Sequence, residues 1–259
     1  MESYQHLHLQ LEGHVAVVTL DNPSVNALCT PMLAEIRSCF EAMAKDKSIY
    51  ACIITGKGKA FVAGADLKVD ENAPKLTGDQ ASRLGQVAFE AIEAAPFPVI
   101  AAINGYAFGG GLELTLACDI RLMSDRASLG MTEATLGLSS TYGGLTRLPW
   151  IVGEENAKWM FYTGERLNAQ QAKDFGLVFS VVPHDELMDS AMALAKKIAA
   201  NAPISVRLAK QTICKYREQN FYQGFLRECY VNYELSQTKD FSEGISAFLE
   251  KRPATFINE

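Results

Sequence analysis

The chain has 259 residues, of which 48% are apolar and 21% charged, and a net charge of −6. This size allows one large core, or one core with a small appended domain, in a soluble globular protein. Because no basic tract accompanies the negative charge, we expect no nucleic-acid partner and no attraction to anionic membranes. Met1–Gln10 is polar and no long apolar run occurs, which predicts neither a signal peptide nor a transmembrane helix.

The cysteines and histidines narrow the function classes further. Six cysteines are spread along the chain without a Cys-x-x-Cys pair, mostly among apolar neighbours. This pattern is typical of reduced core cysteines, so we expect a cytoplasmic protein. The four histidines have neither metal-ligand spacing nor a Ser/His/Asp arrangement, which predicts no metal site and no histidine-dependent mechanism.

The first part of the chain predicts alternating strands and helices. Leu7–Leu11 and Val15–Leu20 flank Gly13 as a β-hairpin, and Thr30 with Pro31 begins a helix that continues through Ala44. The elements predicted after it are a strand at Ala51–Thr55, a turn at Phe61–Asp66, a polar loop at Asp70–Gly78, a helix at Asp79–Ala95, strands at Pro98–Ile103 and Ile120–Ser124, a glycine-rich loop at Thr135–Arg147, helices at Glu154–Tyr162 and Asn168–Phe175, a strand at Leu177–Val182 and a helix at Glu186–Ala200.

From Ala202 onward the pattern is helical almost to the end. Pro203 begins a predicted helix that reaches about Asn220, and two more follow at Phe221–Gln237 and Phe241–Leu249. We therefore predict an α/β body over residues 1–200 and a helical region over residues 201–259. The helical region contains apolar and aromatic residues that need a partner surface, so we expect a homo-oligomer.

The stretch from Ile103 to Asp119 contains the residues best suited to chemistry. A buried strand passes through three consecutive glycines, Gly109 to Gly111, into the first turn of a helix. Glycines allow close approach to the main chain, and free N–H groups at a helix N-terminus are partially positive. The stretch predicts a site for an oxyanion or a phosphate. Glu113 lies in this first turn, where an acid is also an ordinary feature of a helix N-terminus.

These residues resemble the crotonase superfamily, which contains the enoyl-CoA hydratases and isomerases, over essentially the whole chain. Ile100-Ala-Ala-Ile-Asn-Gly-Tyr-Ala-Phe-Gly-Gly-Gly111 through Ala117-Cys-Asp-Ile120 fits the family's central signature. The motifs Asn26-Ala27-Leu28, Phe61-Val-Ala-Gly-Ala-Asp66 and Ala247-Phe-Leu-Glu-Lys-Arg252 match as well. The resemblance implies an α/β fold, a spiral of repeated ββα units, with a C-terminal helical region that makes a homotrimer or a dimer of trimers.

The resemblance also implies the chemistry. The backbone N–H groups of Ala65 and Gly110 would form an oxyanion hole for a thioester carbonyl, where enolate charge develops. Glu113 and Glu133 have the twenty-residue separation of the two catalytic glutamates in hydratases of this superfamily. Glu113 would activate a water for attack at C3 of a 2-enoyl-CoA, and Glu133 would deliver a proton to C2.

Coenzyme A would enter as part of the substrate, an acyl-CoA thioester, and no separate cofactor is implied. The resemblance points to Ala27 and Ala63 for the pantetheine and adenine, and to Phe248 and Lys251 from a neighbouring subunit. Lys57, Lys59 and Lys68 are candidates for phosphate contacts, although lysines beside a loop are usually solvated. The remaining candidate substrate contacts are Gly64, Asp66, Gly109, Thr141 and Tyr142.

The chain departs from the hydratase pattern at several positions. Met131-Thr132 replaces the usual Gln-Pro before the second glutamate, and Asn22 replaces an arginine that contacts phosphate. Ser140-Thr141 stands where hydratases usually have Pro-Gly, which places bulk and a hydroxyl beside the expected catalytic water. Tyr142 can narrow or polarise the acyl pocket. The acyl group therefore stays open between a short straight chain, a branched chain and a ring.

Three other functions remain as alternatives. A Δ3,Δ2-enoyl-CoA isomerase needs only one carboxylate, and another crotonase reaction, such as thioester hydrolysis, would use the same oxyanion hole. A non-catalytic relative that binds acyl-CoA or serves as an assembly partner belongs to a different class. The presence of both Glu113 and Glu133 favours the hydratase.

Overall fold

The computed structural model describes residues 4–67, 77–216 and 230–259. The strands are β1 (Leu7–Glu12), β2 (Val15–Leu20), β3 (Ala51–Gly56), β4 (Ala60–Val62), β5 (Val99–Ile103), β6 (Tyr106–Phe108), β7 (Ile120–Ser124), β8 (Ser128–Gly130), β9 (Arg166–Asn168) and β10 (Ser180–Val182). The helices are α1 (Thr30–Met43), α2 (Gly78–Glu93), α3 (Gly110–Ala117), α4 (Gly144–Val152), α5 (Glu154–Thr163), α6 (Ala169–Asp174), α7 (Leu187–Ala199), α8 (Pro203–Tyr216) and α9 (Lys239–Glu250), with 3-10 turns at Glu133–Leu136 and His184–Glu186.

Two sheets carry the repeating unit of the fold. The larger sheet has the order β1-β2-β3-β5-β7-β10 and the smaller has the order β4-β6-β8-β9. Each of the pairs β3-β4, β5-β6 and β7-β8 gives its first strand to the larger sheet and its second strand to the smaller one. Strands from successive pairs are parallel neighbours in both sheets. The chain therefore advances one strand per unit in both sheets at once, which confirms the predicted spiral of ββα units.

The central strands of the larger sheet are buried on both faces. Its strands β3 and β5 contain no exposed residue, which is expected of central parallel strands covered on both sides. Alternate residues of these strands point to opposite faces. Ile54 and Ala101 join the main core beneath α1 and α2, while Ile53 and Ile100 pack with Leu187 of α7. The predicted hairpin, the α1 helix and the α7 helix are thus confirmed, with end shifts of a few residues.

The smaller sheet and α4 differ from the prediction. The strands of the smaller sheet have three residues each, too few to establish a two-residue period in the sequence. The predicted loop at Thr135–Arg147 is wrong in part, because a 3-10 turn covers its start and α4 begins at Gly144. The N-cap of α4 is Gly143, with φ +108, and Pro149 lies inside the helix. Both residues argue against a helix when only the sequence is considered.

The C-terminal region docks on the body through polar contacts. Lys210 of α8 donates to the carbonyl of Phe97 at 3.0 Å and lies 2.8 Å from the Asp119 carboxylate. Residues 230–236 are helical, whereas Phe221, Tyr222, Phe225 and Leu226 lie outside the described residues. The boundary at residue 200 and the oligomer stay predictions. No helix in the described part of the chain combines the length and apolar character that a membrane span requires.

Candidate active site

The smaller sheet brings the candidate residues to one edge. Because β4, β6 and β8 are parallel neighbours, their C-terminal ends lie side by side. The segments that leave these ends contain Ala63–Ala65, Gly109–Glu113 and Glu133, respectively. Ligands of open parallel sheets bind at this edge, outside the carboxyl ends of the strands. The topology therefore explains how motifs up to 70 positions apart in the sequence reach one site.

The two candidate oxyanion donors lie on either side of Leu28. Leu28 forms a parallel bridge with Ala65, in which its N–H donates to the Gly64 carbonyl and its own carbonyl accepts from the Asp66 N–H, both at 2.9 Å. This pattern leaves the N–H of Ala65 outside the bridge. A Cβ added to Gly110 would lie 3.0 Å from Leu28 Cδ1. Leu28 thus contacts the Ala65 segment through its backbone and lies beside Gly110 through its side chain, and the role of the two N–H groups as an oxyanion hole stays a prediction.

Glu113 is buried and held by one of its oxygens. The residue is 2% exposed, within a helix whose every residue is buried. Its Oε1 accepts hydrogen bonds from Ser140 Oγ at 2.6 Å and from the N–H groups of Tyr142 and Gly144, both at 2.8 Å. Burial raises the pKa of Glu113, and these three hydrogen bonds, with the positive charge of Arg147, oppose that rise.

Glu133 has the opposite environment. Both of its carboxylate oxygens are buried, and neither has a hydrogen-bond partner among the described residues. Gly109, with φ +50, makes room for it, because a Cβ there would lie 3.3 Å from the carboxylate. Burial, together with a smaller contribution from the nearby charge of Glu113, raises the pKa of Glu133 to about 7. A buried carboxyl group without partners is rare in native proteins and marks a functional position.

The two carboxyl groups therefore differ in what surrounds them. Donors from three residues favour the ionised form of Glu113 against its burial, whereas for Glu133 burial outweighs the one opposing influence, its own backbone N–H. Such a pair supplies one proton acceptor and one proton donor at the same time. Within residues 4–67, 77–216 and 230–259, no three His, Cys, Asp or Glu side chains lie together as a metal site requires.

Tyr142 separates this centre from a neighbouring cavity. A Cβ on Gly110 would lie 3.4 Å from the Tyr142 ring, and a Cβ on Gly85 of α2 would lie 2.2 Å from it. The ring also meets Phe89 edge to face, with centroids 5.7 Å apart. Beyond it lies a cavity of about 790 Å³ between α2 and α4, bordered by Thr141 and Arg147. Thr141 itself is exposed, and its carbonyl accepts from Gln86 Nε2 at 2.9 Å.

The first-turn motif is fixed beside β4. Asn26 is buried, has φ +55, and its side-chain amide contacts the carbonyls of Ala60 and Phe61. This anchor places Ala27 next to the Ala63 turn, whose N–H donates to the Val25 carbonyl at 3.0 Å. The Ala27 carbonyl accepts from Asn22 Nδ2 at 2.7 Å. Ala27, Ala63 and Gly64 are thus brought together at the same edge.

The candidate contacts for coenzyme A outside this edge of the sheet are more widely spread. Lys57 is exposed and pairs with Asp21 at 2.6 Å, and Lys59 is exposed. Lys68 lies outside the described residues. Phe248 is 83% exposed near the end of α9, and Lys251 follows as its C-cap with φ +55. The chain's own contacts do not bring these two residues to the carboxylates, and their assignment to a neighbouring subunit stays a prediction.

Two residues of this arrangement have no clear signal in the sequence. The sequence marks Ser140 only as a departure from the hydratase pattern, and its contact with Glu113 requires the loop before α4 to fold back over 27 positions. The anchoring role of Asn26 depends on a left-handed backbone conformation, which asparagine adopts more readily than most residues. Its position within a matching motif is the available signal.

Comparison with known proteins agrees with this geometry. A family model described as enoyl-CoA hydratase/isomerase matches residues 10–259. A crotonyl-CoA hydratase of Syntrophomonas wolfei is 37% identical, over 99% of this chain and 100% of its own. A 2,3-dehydroadipyl-CoA hydratase of Escherichia coli is 39% identical over 95% and 96%, respectively. The crystal structure of an enoyl-CoA hydratase from Bacillus anthracis superposes with a TM-score of 0.94 at 40% identity, covering 98% of this chain and 100% of that one. The chain is therefore an enzyme of the enoyl-CoA hydratase/isomerase family, within the crotonase superfamily.

Proposed function

We propose that this enzyme, a hydro-lyase, adds water reversibly and in syn fashion across the double bond of a 2-enoyl-CoA, giving a 3-hydroxyacyl-CoA. The observation that carries the proposal is the asymmetry of the two buried carboxyl groups. Glu113 accepts three hydrogen bonds, and Glu133 accepts none from the described residues. Hydration needs a base for water and an acid for carbon, and this pair matches the two tasks.

In the proposed mechanism, Glu113 and Glu133 each transfer one proton. Ionised Glu113 takes a proton from water as the water oxygen bonds to C3. The π electrons shift toward the thioester carbonyl, whose oxygen gains enolate charge opposite the N–H groups of Ala65 and Gly110. Removing one such donor typically costs about 3–4 kcal/mol of transition-state stabilisation. The enolate then takes the proton of Glu133 at C2, and dehydration follows the reverse path. Syn addition requires both carboxyl groups to reach the same face of the double bond, and we propose that the substrate binds at this edge of the sheet with one face toward both of them.

The alternative functions do not need both carboxyl groups of this site. A Δ3,Δ2-enoyl-CoA isomerase moves one proton between two carbons and leaves one carboxyl group without a task. Thioester hydrolysis needs water aimed at the carbonyl carbon and has no use for a proton donor at C2. A non-catalytic acyl-CoA-binding protein would not need a carboxyl group whose pKa burial raises to about 7.

The acyl group is the least determined part of the substrate. The two hydratase relatives named above differ in the acyl chain in their names but are 37% and 39% identical to this chain, so overall identity does not choose between them. Tyr142 fills the space between Gly110 and α2, which favours a short chain. Short straight, branched and cyclic acyl groups are the candidates.

A panel of substrates tests the proposal. Purified protein is mixed with crotonyl-CoA and with longer, branched, cyclic and carboxylate-bearing 2-enoyl-CoAs, and loss of the enoyl-thioester absorbance is followed. We expect turnover of at least one substrate, with formation of the 3-hydroxyacyl-CoA verified by mass spectrometry. Absence of hydration across the whole panel would eliminate the hydratase proposal, and appearance of free coenzyme A would favour thioester hydrolysis.

We also propose a homotrimer, or a dimer of trimers, in which α9 completes the coenzyme A site of a neighbouring subunit. The exposure of Phe248 and the position of Lys251 just after the same helix support this assembly. Light scattering of the purified protein is expected to give the mass of three or six chains. A monomer with full activity would contradict it.

A further inference from the structure

Ser140 contacts Glu113, the proposed base, but the proposed mechanism gives Ser140 no role. Its side chain is buried, with the residue 6% exposed, and its hydroxyl donates to Glu113 Oε1 at 2.6 Å. We propose that Ser140 is a positioning residue that fixes Glu113 by Oε1 and so dedicates Oε2 to the catalytic water. The inference rests on the proposed hydratase function.

The hydrogen bonds of Glu113 divide unevenly between its two oxygens. Oε1 accepts all three hydrogen bonds, from Ser140 Oγ and the N–H groups of Tyr142 and Gly144. None of the hydrogen bonds found among the described residues involves Oε2. Rotation of the carboxylate would break all three hydrogen bonds at once, and hydrogen bonds to a charged group are among the stronger ones in proteins. Oε1 is therefore an anchor, and Oε2 keeps its lone pairs for a water molecule.

Gly144 leaves the space in which Ser140 and Glu113 make their hydrogen bond. A Cβ on Gly144 would lie 2.3 Å from Ser140 Oγ and 2.9 Å from Glu113 Cγ. Only a glycine at position 144 lets the hydroxyl and the carboxylate meet at 2.6 Å. The other two donors are backbone groups, which side-chain replacement does not remove. Ser140 is thus the one of these three donors that a substitution can delete while the loop keeps its backbone hydrogen bonds.

Several charged and titratable groups surround Glu113, and the effect of Ser140 must be distinguished from theirs. Arg147 of α4 is the nearby cation, and its guanidinium is held by Glu93 of α2 at 2.7 Å and by the Tyr142 carbonyl. Glu133 lies near enough that the charge of Glu113 raises the pKa of the Glu133 carboxyl group. The remaining titratable groups on the elements that pack against α3 are Asp79, Arg83 and Glu90 of α2, Tyr106 of β6, and the hydroxyl of Tyr142. Ser140 is uncharged, so its deletion leaves all these charges in place.

Replacement of Ser140 by alanine tests the proposal. We expect kcat of Ser140→Ala for the best substrate of the panel to fall roughly tenfold or more, with KM nearly unchanged. Loss of a donor to the ionised form raises the pKa of Glu113, so the acidic limb of the kcat profile should move to higher pH. Ser140→Cys keeps a weaker donor and should lie between alanine and wild type. Ser139 is exposed, and Ser139→Ala serves as the matched control with unchanged kinetics.

A second measurement separates this proposal from the hydratase proposal. The pKa of Glu113 can be followed by 13C NMR titration of its carboxyl carbon without any substrate. We expect a higher pKa in Ser140→Ala than in wild type and in Ser139→Ala. An unchanged pKa, or an unchanged acidic limb with normal kcat, would overturn the role of Ser140. If the wild-type protein hydrated no enoyl-CoA, the proposed hydratase activity would be wrong. The NMR titration would still test whether the Ser140 hydroxyl stabilises the ionised form of Glu113.

Discussion

At the scale of single residues, the candidate site places one residue type in two different environments. Glu113 and Glu133 are both glutamates, and their difference comes entirely from their surroundings. Glu113 accepts hydrogen bonds from Ser140 and Gly144, at the loop before α4. The Glu133 carboxylate is buried beside Gly109, and its oxygens have no hydrogen-bond partner among the described residues. Burial without compensation is unfavourable for a carboxylate, so Glu133 costs the native state stability whenever it is ionised.

Replacement of Glu133 by glutamine should therefore stabilise the protein at high pH. The pKa of Glu133 is raised from 4.5 to about 7, so the native state binds this proton more tightly than the unfolded chain does. Its contribution to stability is full below about pH 4.5 and is lost as the pH rises through about 7. We expect the Tm of Glu133→Gln to exceed that of wild type more at pH 8 than at pH 5. Thermal unfolding measures both values.

The control for this prediction is Glu165→Gln, which changes an exposed glutamate. Its Tm should differ from wild type by a similar small amount at both pH values. If Glu133→Gln showed no larger gain at pH 8 than at pH 5, the elevated pKa of Glu133 would be wrong. The same titration bears on catalysis, because a donor of this pKa should make kcat/KM fall above about pH 7.

The sequence predicts these two glutamates as the catalytic pair but does not distinguish their surroundings. The twenty-residue spacing and the flanking motifs identify both positions. Their protonation preferences depend on the donors Ser140, Tyr142 and Gly144, which reach Glu113 only because of the fold of the loop. No local pattern predicts that one loop turns back onto a helix 27 residues earlier.

At the scale of elements, the three glycines before and within α3 have separate structural tasks. Gly109 adopts φ +50 and leaves space for Glu133, and Gly110 borders Leu28 and Tyr142. Gly111 packs against the backbone of β4, where a Cβ would lie 1.9 Å from the Val62 carbonyl oxygen. The sequence predicted a glycine hinge here, but it did not distinguish the three roles or reveal the strand β6 that precedes them.

Replacement of Gly111 by alanine is expected to destabilise the fold strongly. The added methyl group would overlap the Val62 carbonyl, and backbone cannot move aside as a flexible side chain can. Overpacking of this kind costs about 1–3 kcal/mol and occasionally more, and we expect the upper end of this range. Urea unfolding followed by circular dichroism measures the loss.

Gly78 provides the matched control, because a Cβ at this α2 residue would meet no atom within 4 Å. Gly78→Ala should be neutral or slightly stabilising, since alanine favours helix. Equal stability of the Gly111 and Gly78 variants would contradict the close packing of α3 on β4. It would also weaken the geometric basis of the site, because this contact sets the position of Gly110 and Glu113.

At the scale of the whole molecule, a partly buried ion pair joins the helical region to the body. The Lys210 side chain is 6% exposed and lies 2.8 Å from Asp119, which also accepts a hydrogen bond from the Val99 N–H at 2.7 Å. Asp119 follows α3 directly, so the pair connects α8 to the end of the helix that carries Glu113. The sequence predicts helices in this region, and its described parts at α8, 230–236 and α9 are helical, but it gives no sign of the role of Lys210, which has the spacing of a solvated helix residue.

Lys210→Ala should loosen this connection. Removing Lys210 leaves the Asp119 carboxylate without its counter-ion, and because Asp119 is 23% exposed we expect a cost between the roughly 1 kcal/mol of an exposed pair and the roughly 3–5 kcal/mol of a fully buried one. We expect a lower free energy of unfolding and faster limited proteolysis after residue 200. The control is Lys239→Ala, whose exposed pair with Glu259 should contribute less than about 1 kcal/mol. Equal effects of the two variants would show that α8 docks by apolar contacts alone.

The central claim is that two glutamates share the hydration of a 2-enoyl-CoA, and paired kinetic and binding measurements on their glutamine variants test it most directly. With the best substrate of the panel, Glu113→Gln and Glu133→Gln should each lower kcat by about 10²–10⁴-fold. The Kd for a saturated acyl-CoA, measured by calorimetry, should change little, because neither carboxylate is assigned to coenzyme A binding. Near-normal hydration by either variant would contradict the two-carboxylate mechanism.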